Sequence, residues 1–452
     1  MANIAIVGTG FRGIFDALLL SENKENNITI FDNASHFGGI SRSKEFLGFN
    51  VDMGVHMFDS IQVELYELVN EIMGGAMHTI DFISQSSYEN KVTDGYSLPD
   101  LSSESLIVKD KITNELLDLA SNPEISANNV CNSKTLDDLF QHRYGRTAGL
   151  IFSKIFEKVY NISAKSCDKN ALNRTSLGRL KYLDDKKMMV LKSNNYLDGI
   201  LAARRRSVGK VDNYVSGYPS DGRGMGGFCD RVRELLSKKN VKIVLGQNIK
   251  VSTENKKIKV LQQKSKNSWE FDHLFWAADS LNPLLSDLSI NHDLDQYIYK
   301  TPMLFAIMKT NLNQIKPFTY MQNFSQNGLT YRTSAAGLYS NQTTDDKNSF
   351  ITAECPCKLD DFSHLEDKVI AKKIWDEIKK MKIVKKDASL NDFKILRVAS
   401  SFKVPTKGFT ENYDLIQNEL NNFSNKLSTH SLKLFFRREL YEESKQLTKP
   451  FL

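Results

Sequence analysis

The stretch "NIAIVGTGFRGIFDALLL" (3–20) decides the fold. "NIAIV" is a short apolar run of strand length, and it reads as a strand buried on both faces of a parallel sheet. "GTGFRG" follows at once and supplies Gly8, Gly10 and Gly13, with Phe11 and Arg12 between them. The first glycine allows a tight turn, the second leaves room for a pyrophosphate against the backbone, and the third lets a helix approach the strand. Ile14 with Leu18 and Phe15 with Leu19 recur at helical spacing, so a helix starts here. Its unpaired amides and its dipole favour a phosphate, the dipole by roughly 0.3–1 kcal/mol. "NITIFDN" (27–33) is the next strand, ending in Asp32 with Asn33 beside it. A carboxylate at that distance, about 20 residues past the glycines, can accept ribose hydroxyls. The motif predicts dinucleotide binding but does not separate NAD from FAD.

The residues that follow make that distinction. "FGGISRS" (37–43) places Gly38 and Gly39 just before Arg42. "GFNVDMGVHMFD" (48–59) then sets Asp52, Gly54, His56 and Phe58 at alternate positions, which share one face of an extended segment. A simple NAD dehydrogenase has no need of an arginine and a histidine here. A longer cofactor that extends past the first loop does, so the expected cofactor is FAD.

With these motifs the chain resembles the flavoprotein superfamily of amine oxidases, protoporphyrinogen oxidase and UDP-galactopyranose mutase. The resemblance implies that G-G-x-x-R-S lines the cofactor and that D-x-G-x-H-x-F passes near the isoalloxazine. "KTLDDLFQHRYGRTAGLIFSKIFEKVYN" (134–161) looks like the family's helical segment over the substrate. "SGYPSDGRGMGGFCDRVRELLSKKNVKIVLGQNIKV" (216–251) looks like its return to the cofactor domain, with Ile249 at the adenine position. "FDHLFWAAD" (271–279) looks like the following strand and turn. "GLTYRTSAAG" and "FITAEC" look like substrate-domain strands that carry an arginine and a glutamate in the mutase-like branch. The family closes with a glycine–arginine pair, an aromatic stretch and a last helix aimed at the flavin. Here Arg437 takes the arginine position and Tyr441 matches a family tyrosine, while Phe436 replaces the glycine. A phenylalanine there is expected to crowd the pyrophosphate, and the chain is expected to stop about where the last helix would run.

The implied architecture is α/β: a Rossmann-like FAD-binding domain, a parallel sheet with helices, interleaved with a mixed α+β substrate domain. The FAD-binding domain takes residues 1–75, 211–285 and 400–452, and the substrate domain 76–210 and 286–399. Local patterns agree. Apolar residues recur at helical spacing through 100–205, "SKTLDD" offers an N-cap with acids in the first turn, and "MLFAIMKT" and "SFITAE" read as strands. "LEDKVIAKKIWDEIKKM" reads as an amphipathic helix.

Composition bounds the function. At 452 residues with 41% hydrophobic and 25% charged residues, the chain is of ordinary globular type. A net charge of +6 permits an anionic ligand, and no basic run interleaved with aromatics tracks a nucleic acid. "AARRRS" (202–207) is the densest basic spot and reads as a solvated face or a helix end. The five cysteines, Cys131, Cys167, Cys229, Cys355 and Cys357, form no disulfide framework and no zinc site, so no metal is expected. With no leader and no spanning apolar run, the expected location is cytoplasmic. Peripheral membrane contact has no support in the sequence, which also leaves the oligomeric state open.

The expected partner is a small-molecule substrate, anionic or a nucleotide sugar among the options. His56 is the candidate to orient substrate or move a proton near neutral pH. Arg332 is the candidate to hold a carboxylate or pyrophosphate at two points, and the resemblance adds Tyr441. Arg174, Arg179 and Lys181 read as a solvated helix face. The leading expectation is an FAD-dependent oxidoreductase acting on a C–H bond of a small organic substrate. The alternatives are a non-redox flavin isomerase of a nucleotide sugar, and a divergent flavoprotein acting as a binding component without turnover.

Overall fold

The computed structural model describes residues 2–80, 84–89, 91–203, 214–254, 257–263, 267–423 and 425–452. Arg204, Arg205, Arg206 and Ser207 of the basic spot lie outside the described residues.

Strand β1 (Asn3–Val7), helix α1 (Phe11–Leu20) and strand β2 (Asn27–Phe31) form where the apolar runs and glycines place them. β1 is central in a five-stranded sheet. β2 and then Lys242–Val244 lie on one side of it, and His273–Trp276 and then Leu427–Thr429 on the other. Every pairing is parallel, with Val7 opposite both Phe31 and Trp276. The strands are apolar throughout because both faces are covered: Ile4 and Ile6 join one core, while Ala5 and Val7 join another. The strand order reverses at β1, which opens a crevice beyond its C-terminal end, the place where such sheets take ligands.

The second sheet has seven strands, in the order Asp392–Val398, Met303–Asn311, Asn348–Pro356, Arg332–Ser334, Tyr320–Asn323, Ser84–Tyr88 and Lys91–Asp94. Its pairings are antiparallel except that between Tyr320–Asn323 and Ser84–Tyr88. Side-chain alternation decides what each face meets. Leu304, Ala306 and Met308, with Ile351, Ala353 and Cys355, pack on Ile370, Ile374 and Ile378 of the helix Asp367–Lys380. Phe305, Ile307 and Phe350 turn the other way and join the core beneath α1. Glu354 shares the parity of Phe350, and this turns its carboxylate toward the crevice side.

Helices Leu106–Ser121, Leu136–Tyr144 and Arg146–Tyr160 build a fourth core. The N-cap read in "SKTLDD" is Thr135, which forms a reciprocal capping box with Asp138 at 3.1 Å in each direction.

One expectation is corrected at the end of the chain. A last helix is present, Arg437–Thr448, laid against α1. Phe436 precedes it and is about half exposed (48%), with its ring edge-on to Phe435 at 5.7 Å. The basic set is corrected too. Arg174 donates to the Lys403 and Leu432 carbonyls, Arg179 to those of Asp198 and Leu201, and Lys181 to the Leu183 carbonyl and Asp185. Arg174 and Lys181 pin loops together rather than form a solvated face, while Arg179 bonds to carbonyls but stays exposed.

Candidate functional site

The glycine turn has the geometry its spacing predicts. Gly8 sits at φ +110°, where a side chain is strained, and its N–H donates to the Phe31 carbonyl at 2.8 Å. A Cβ on Gly13 would lie 1.9 Å from the Gly8 carbonyl oxygen, so only glycine lets the helix approach this closely. A Cβ on Gly10 would meet no protein atom within 4 Å. That opening, at the N-terminus of a helix with no capping side chain and no acid in its first turn, is a cradle for a phosphate.

Asp32 is corrected in part. Its Oδ2 accepts from Thr9 N at 2.7 Å and Thr9 Oγ1 at 2.6 Å, and its Oδ1 accepts from Ala34 N at 2.8 Å. The carboxylate therefore holds the turn in shape, and a ribose would share it. Asn33 is exposed beside it. Ile249 opens the strand Ile249–Glu254, and the approach to it crosses the end of β2, where Gly246 N meets the Ala34 carbonyl and Gln247 N the Asp32 carbonyl. Gly38 and Gly39, at φ +110° and +56°, bring the second glycine loop against the first; a Cβ on Gly39 would lie 3.3 Å from Gly10 Cα. Arg42 pairs with Asp230.

Two arginines flank the turn. Arg12 donates from Nη2 to the Ser431 and Leu434 carbonyls at 3.3 and 3.2 Å, clamping the strap before the last helix. Arg437, the first residue of that helix, lies 4.3 Å over the Phe11 ring and 5.5 Å over Phe58 and donates to the Met57 carbonyl. The Nε of each guanidinium is buried and has no partner. These orphan donors, together with the empty space at Gly10, fit an extended anionic cofactor.

Beyond the turn, His56, Arg332 and Glu354 converge on Gly54. A Cβ there would lie 3.6 Å from His56 Nε2, 3.7 Å from Arg332 Nη2 and 3.8 Å from Glu354 Oε1. Arg332 and Glu354 stand directly opposite on antiparallel strands and form a two-point ion pair, Nε to Oε1 and Nη2 to Oε2, each at 2.8 Å. Burial works against the Arg332 charge, but Glu354 more than offsets it and holds the guanidinium above its ordinary range. His56 accepts from Arg437 Nη2 at 3.4 Å. Burial, then Arg437, then Arg332 push the imidazole down to about 3. The neutral imidazole is favoured, and of the two expected roles this favours orienting substrate over moving a proton.

Tyr441 does not join this group. Its hydroxyl donates to Glu64 at 3.3 Å and its ring meets Phe15 edge-on at 5.4 Å, so it fastens the last helix to α1.

Three features go beyond the sequence reading, the first being the partners of Asp52. Asp52 accepts from Ser43 Oγ at 2.5 Å, from the Tyr218 hydroxyl and from Met225 N at 3.3 Å. It thereby ties the second glycine loop to the helix Gly224–Lys238, and burial raises its carboxyl to about 6. Tyr160, Tyr331 and Phe402 form an aromatic wall, with centroids 5.5–6.4 Å apart, beside Arg332. The third is a buried charge network, in which His430 bridges Asp16 of α1 (2.6 Å) and Glu443 of the last helix (2.7 Å). The two acids outweigh the cost of burial and raise the imidazole to about 9. A folded value above the unfolded 6.5 means that this stability is full below pH 6.5 and is lost as pH rises through about 9. We predict a loss of about 2 kcal/mol between pH 6.5 and 8 in urea unfolding. His430→Gln should flatten that slope.

Comparison with known proteins agrees with this geometry. Residues 6–72 match the NAD(P)-binding Rossmann-like domain family. No curated protein matches the chain in sequence. The structure of reduced UDP-galactopyranose mutase superposes with a TM-score of 0.73 at 13% identity, covering 100% of this chain and 96% of that one. This is the flavoprotein amine oxidase fold. A protein of Exiguobacterium sp. assigned as a protoporphyrinogen oxidase shares it, with a TM-score of 0.66 at 13% identity over 99% of this chain and 98% of the other. So does a double mutant of putrescine oxidase redesigned in cofactor binding, with a TM-score of 0.63 at 12% identity over 100% and 98%. The amine oxidase fold sets the parallel sheet and its dinucleotide crevice beside the mixed sheet that carries Arg332 and Glu354. No helix among the described residues is long and apolar enough to cross a membrane.

Proposed function

We propose that the chain binds FAD across the first βαβ turn and acts on a small anionic substrate of the nucleotide-sugar class. The observation that carries the substrate class is the meeting of Arg332 and Arg437 around a neutral His56, with an aromatic wall alongside. An alkylamine cation would meet two guanidiniums whose fields already reach His56, whereas a diphosphate could accept from their N–H groups.

The residues that would hold FAD are Gly8, Gly10, Phe11, Arg12 and Gly13 at the pyrophosphate and Asp32, Asn33 and Ile249 toward the adenosine. Gly38, Gly39 and Arg42 would lie along its length, and Gly54, His56 and Arg437 at the ring. FAD, when bound, supplies the redox and nucleophilic chemistry of its tricyclic ring. The chain's part is to position and to exclude water. Gly54 leaves the substrate free to approach the backbone. His56 offers a neutral imidazole for a substrate hydroxyl. Arg332, braced by Glu354, presents its remaining N–H donors to an anionic group.

Oxidation of a C–H bond is the second reading. The ring cluster of Phe11, Phe58 and Phe228, in which Phe58 meets the other two edge-on and those two stack, with centroids 5.2–5.9 Å apart, favours it as a dry wall for hydride removal. The reading without turnover rested on a divergent C-terminus; a last helix is present there, while Phe436 still stands where the resemblance expects glycine. A cytoplasmic location belongs with the proposal, in keeping with five free thiols.

The test is binding and turnover with the FAD-loaded protein. The proposal expects UDP and UDP-sugars to bind, the sugars more tightly after dithionite reduction, and a loss of at least about tenfold in Arg332→Leu. Peroxide production with an amine, together with no binding of UDP, would overturn it.

A further inference from the structure

Away from the dinucleotide crevice, an open groove of about 420 Å³ lies between the end of the helix Arg146–Tyr160, the turn 326–329 and the exit of the strand Asn348–Pro356. Lys154, Lys158 and Asn161 share one face of the helix end at spacings of four and three, and Lys358 faces them from the strand exit. Among the described residues, no carboxylate lies within ion-pairing distance of these three lysines. Glu157 and Asp361 are exposed on the groove's rim.

The inner part of the groove is rich in donors. Lys158 Nζ gives two protons to the Asn323 and Thr330 carbonyls, at 2.8 and 2.7 Å, and has a third to give. Burial lowers this ammonium to about 8 although Glu377, behind the turn 326–329, pulls it back up, and a bound anion would offset the cost that remains. Asn161, at φ +60° on the helix end, has a buried Nδ2 with no partner. An unmet donor of this kind is costly unless an acceptor arrives.

We propose that this groove is a second binding site, for a small organic anion bearing a phosphate or carboxylate group. The anionic group meets Lys158 and Asn161 Nδ2, and Lys154 and Lys358 close over it from the rim. The volume exceeds what inorganic phosphate fills and suits a ligand of sugar-phosphate or tricarboxylate size.

The experiment is calorimetric titration of the FAD-loaded protein with glucose 6-phosphate, citrate, inorganic phosphate and, as a neutral control, glucose. The expected result is binding of glucose 6-phosphate or citrate, with glucose silent; which of the two binds tells phosphate from carboxylate. The double variant Lys154→Glu/Lys358→Glu changes only exposed side chains, and Asn161→Gly keeps the positive φ while removing the amide. Each should weaken binding at least about tenfold, with FAD absorbance unchanged. Binding should persist in Arg332→Leu, so failure here is distinct from failure of the proposed reaction. Unchanged affinity in both groove variants, loss in Arg332→Leu alone, or no binding of any probe at about 10 mM would overturn the site.

Discussion

Arg332→Leu lowers the unfolding free energy by about 3–5 kcal/mol, and the double variant Arg332→Leu/Glu354→Leu recovers all but about 1 kcal/mol of it. Glu354 is only 3% exposed, and both of its oxygens are spent on Arg332. Removing the guanidinium strands a carboxylate between apolar strands, where burial already pushes its proton affinity up against the arginine's pull. Replacing both partners removes the penalty together with the attraction. Urea unfolding of the two singles and the double closes the cycle. A double variant as unstable as the single would show that the loss comes from packing rather than from an uncompensated charge. The double should still fail to bind UDP, because stability and recognition use the same guanidinium for different purposes.

The two glycines of the turn should separate in the same way. Gly13→Ala costs about 3 kcal/mol or more, at the upper end of overpacking. The added Cβ would stand 1.9 Å from the Gly8 carbonyl oxygen, a backbone atom fixed by its own turn. Gly10→Val leaves stability within about 0.5 kcal/mol, because its Cβ meets no protein atom and φ is −70°. Its effect falls on the ligand, through loss of the space a pyrophosphate needs. Thermal unfolding and flavin content, measured on both variants, test the pair. A fully stable Gly13→Ala would contradict the close approach of α1 to the turn.

Much of the cofactor side was legible because its signals are local. The turn glycines, Gly38, Gly39 and the alternation Gly54–His56 depend on spacings of a few residues, and the sequence prints those directly. Arg332 was legible as a residue but not as half of a pair. Glu354 opposes it only through the register of two strands 22 positions apart, and no local pattern states a register. His56 stands beside Gly54 as the alternation puts it, yet its charge was not readable, since burial and then two arginines distant in sequence set it.

The last helix was missed for a different reason. The segment was read against an expected glycine and flavin-end motif, and the absence of these hid an ordinary amphipathic signal. Leu440, Ser444 and Thr448 are buried at a spacing of four, and Leu440 and Tyr441 join the core under α1. Asp16 is invisible for the same class of reason as Glu354. A buried acid in an apolar helix looks like an anomaly until His430, 414 positions away, supplies the partner.

FAD titration of the wild-type chain and of Gly10→Val, followed by absorbance after desalting, tests the central claim most directly. The account predicts one flavin retained per wild-type chain and none in the valine variant, with the flavin-free forms of both proteins unfolding at the same urea concentration. Colourless wild-type protein, or a valine variant that stays as yellow as its parent, would contradict it.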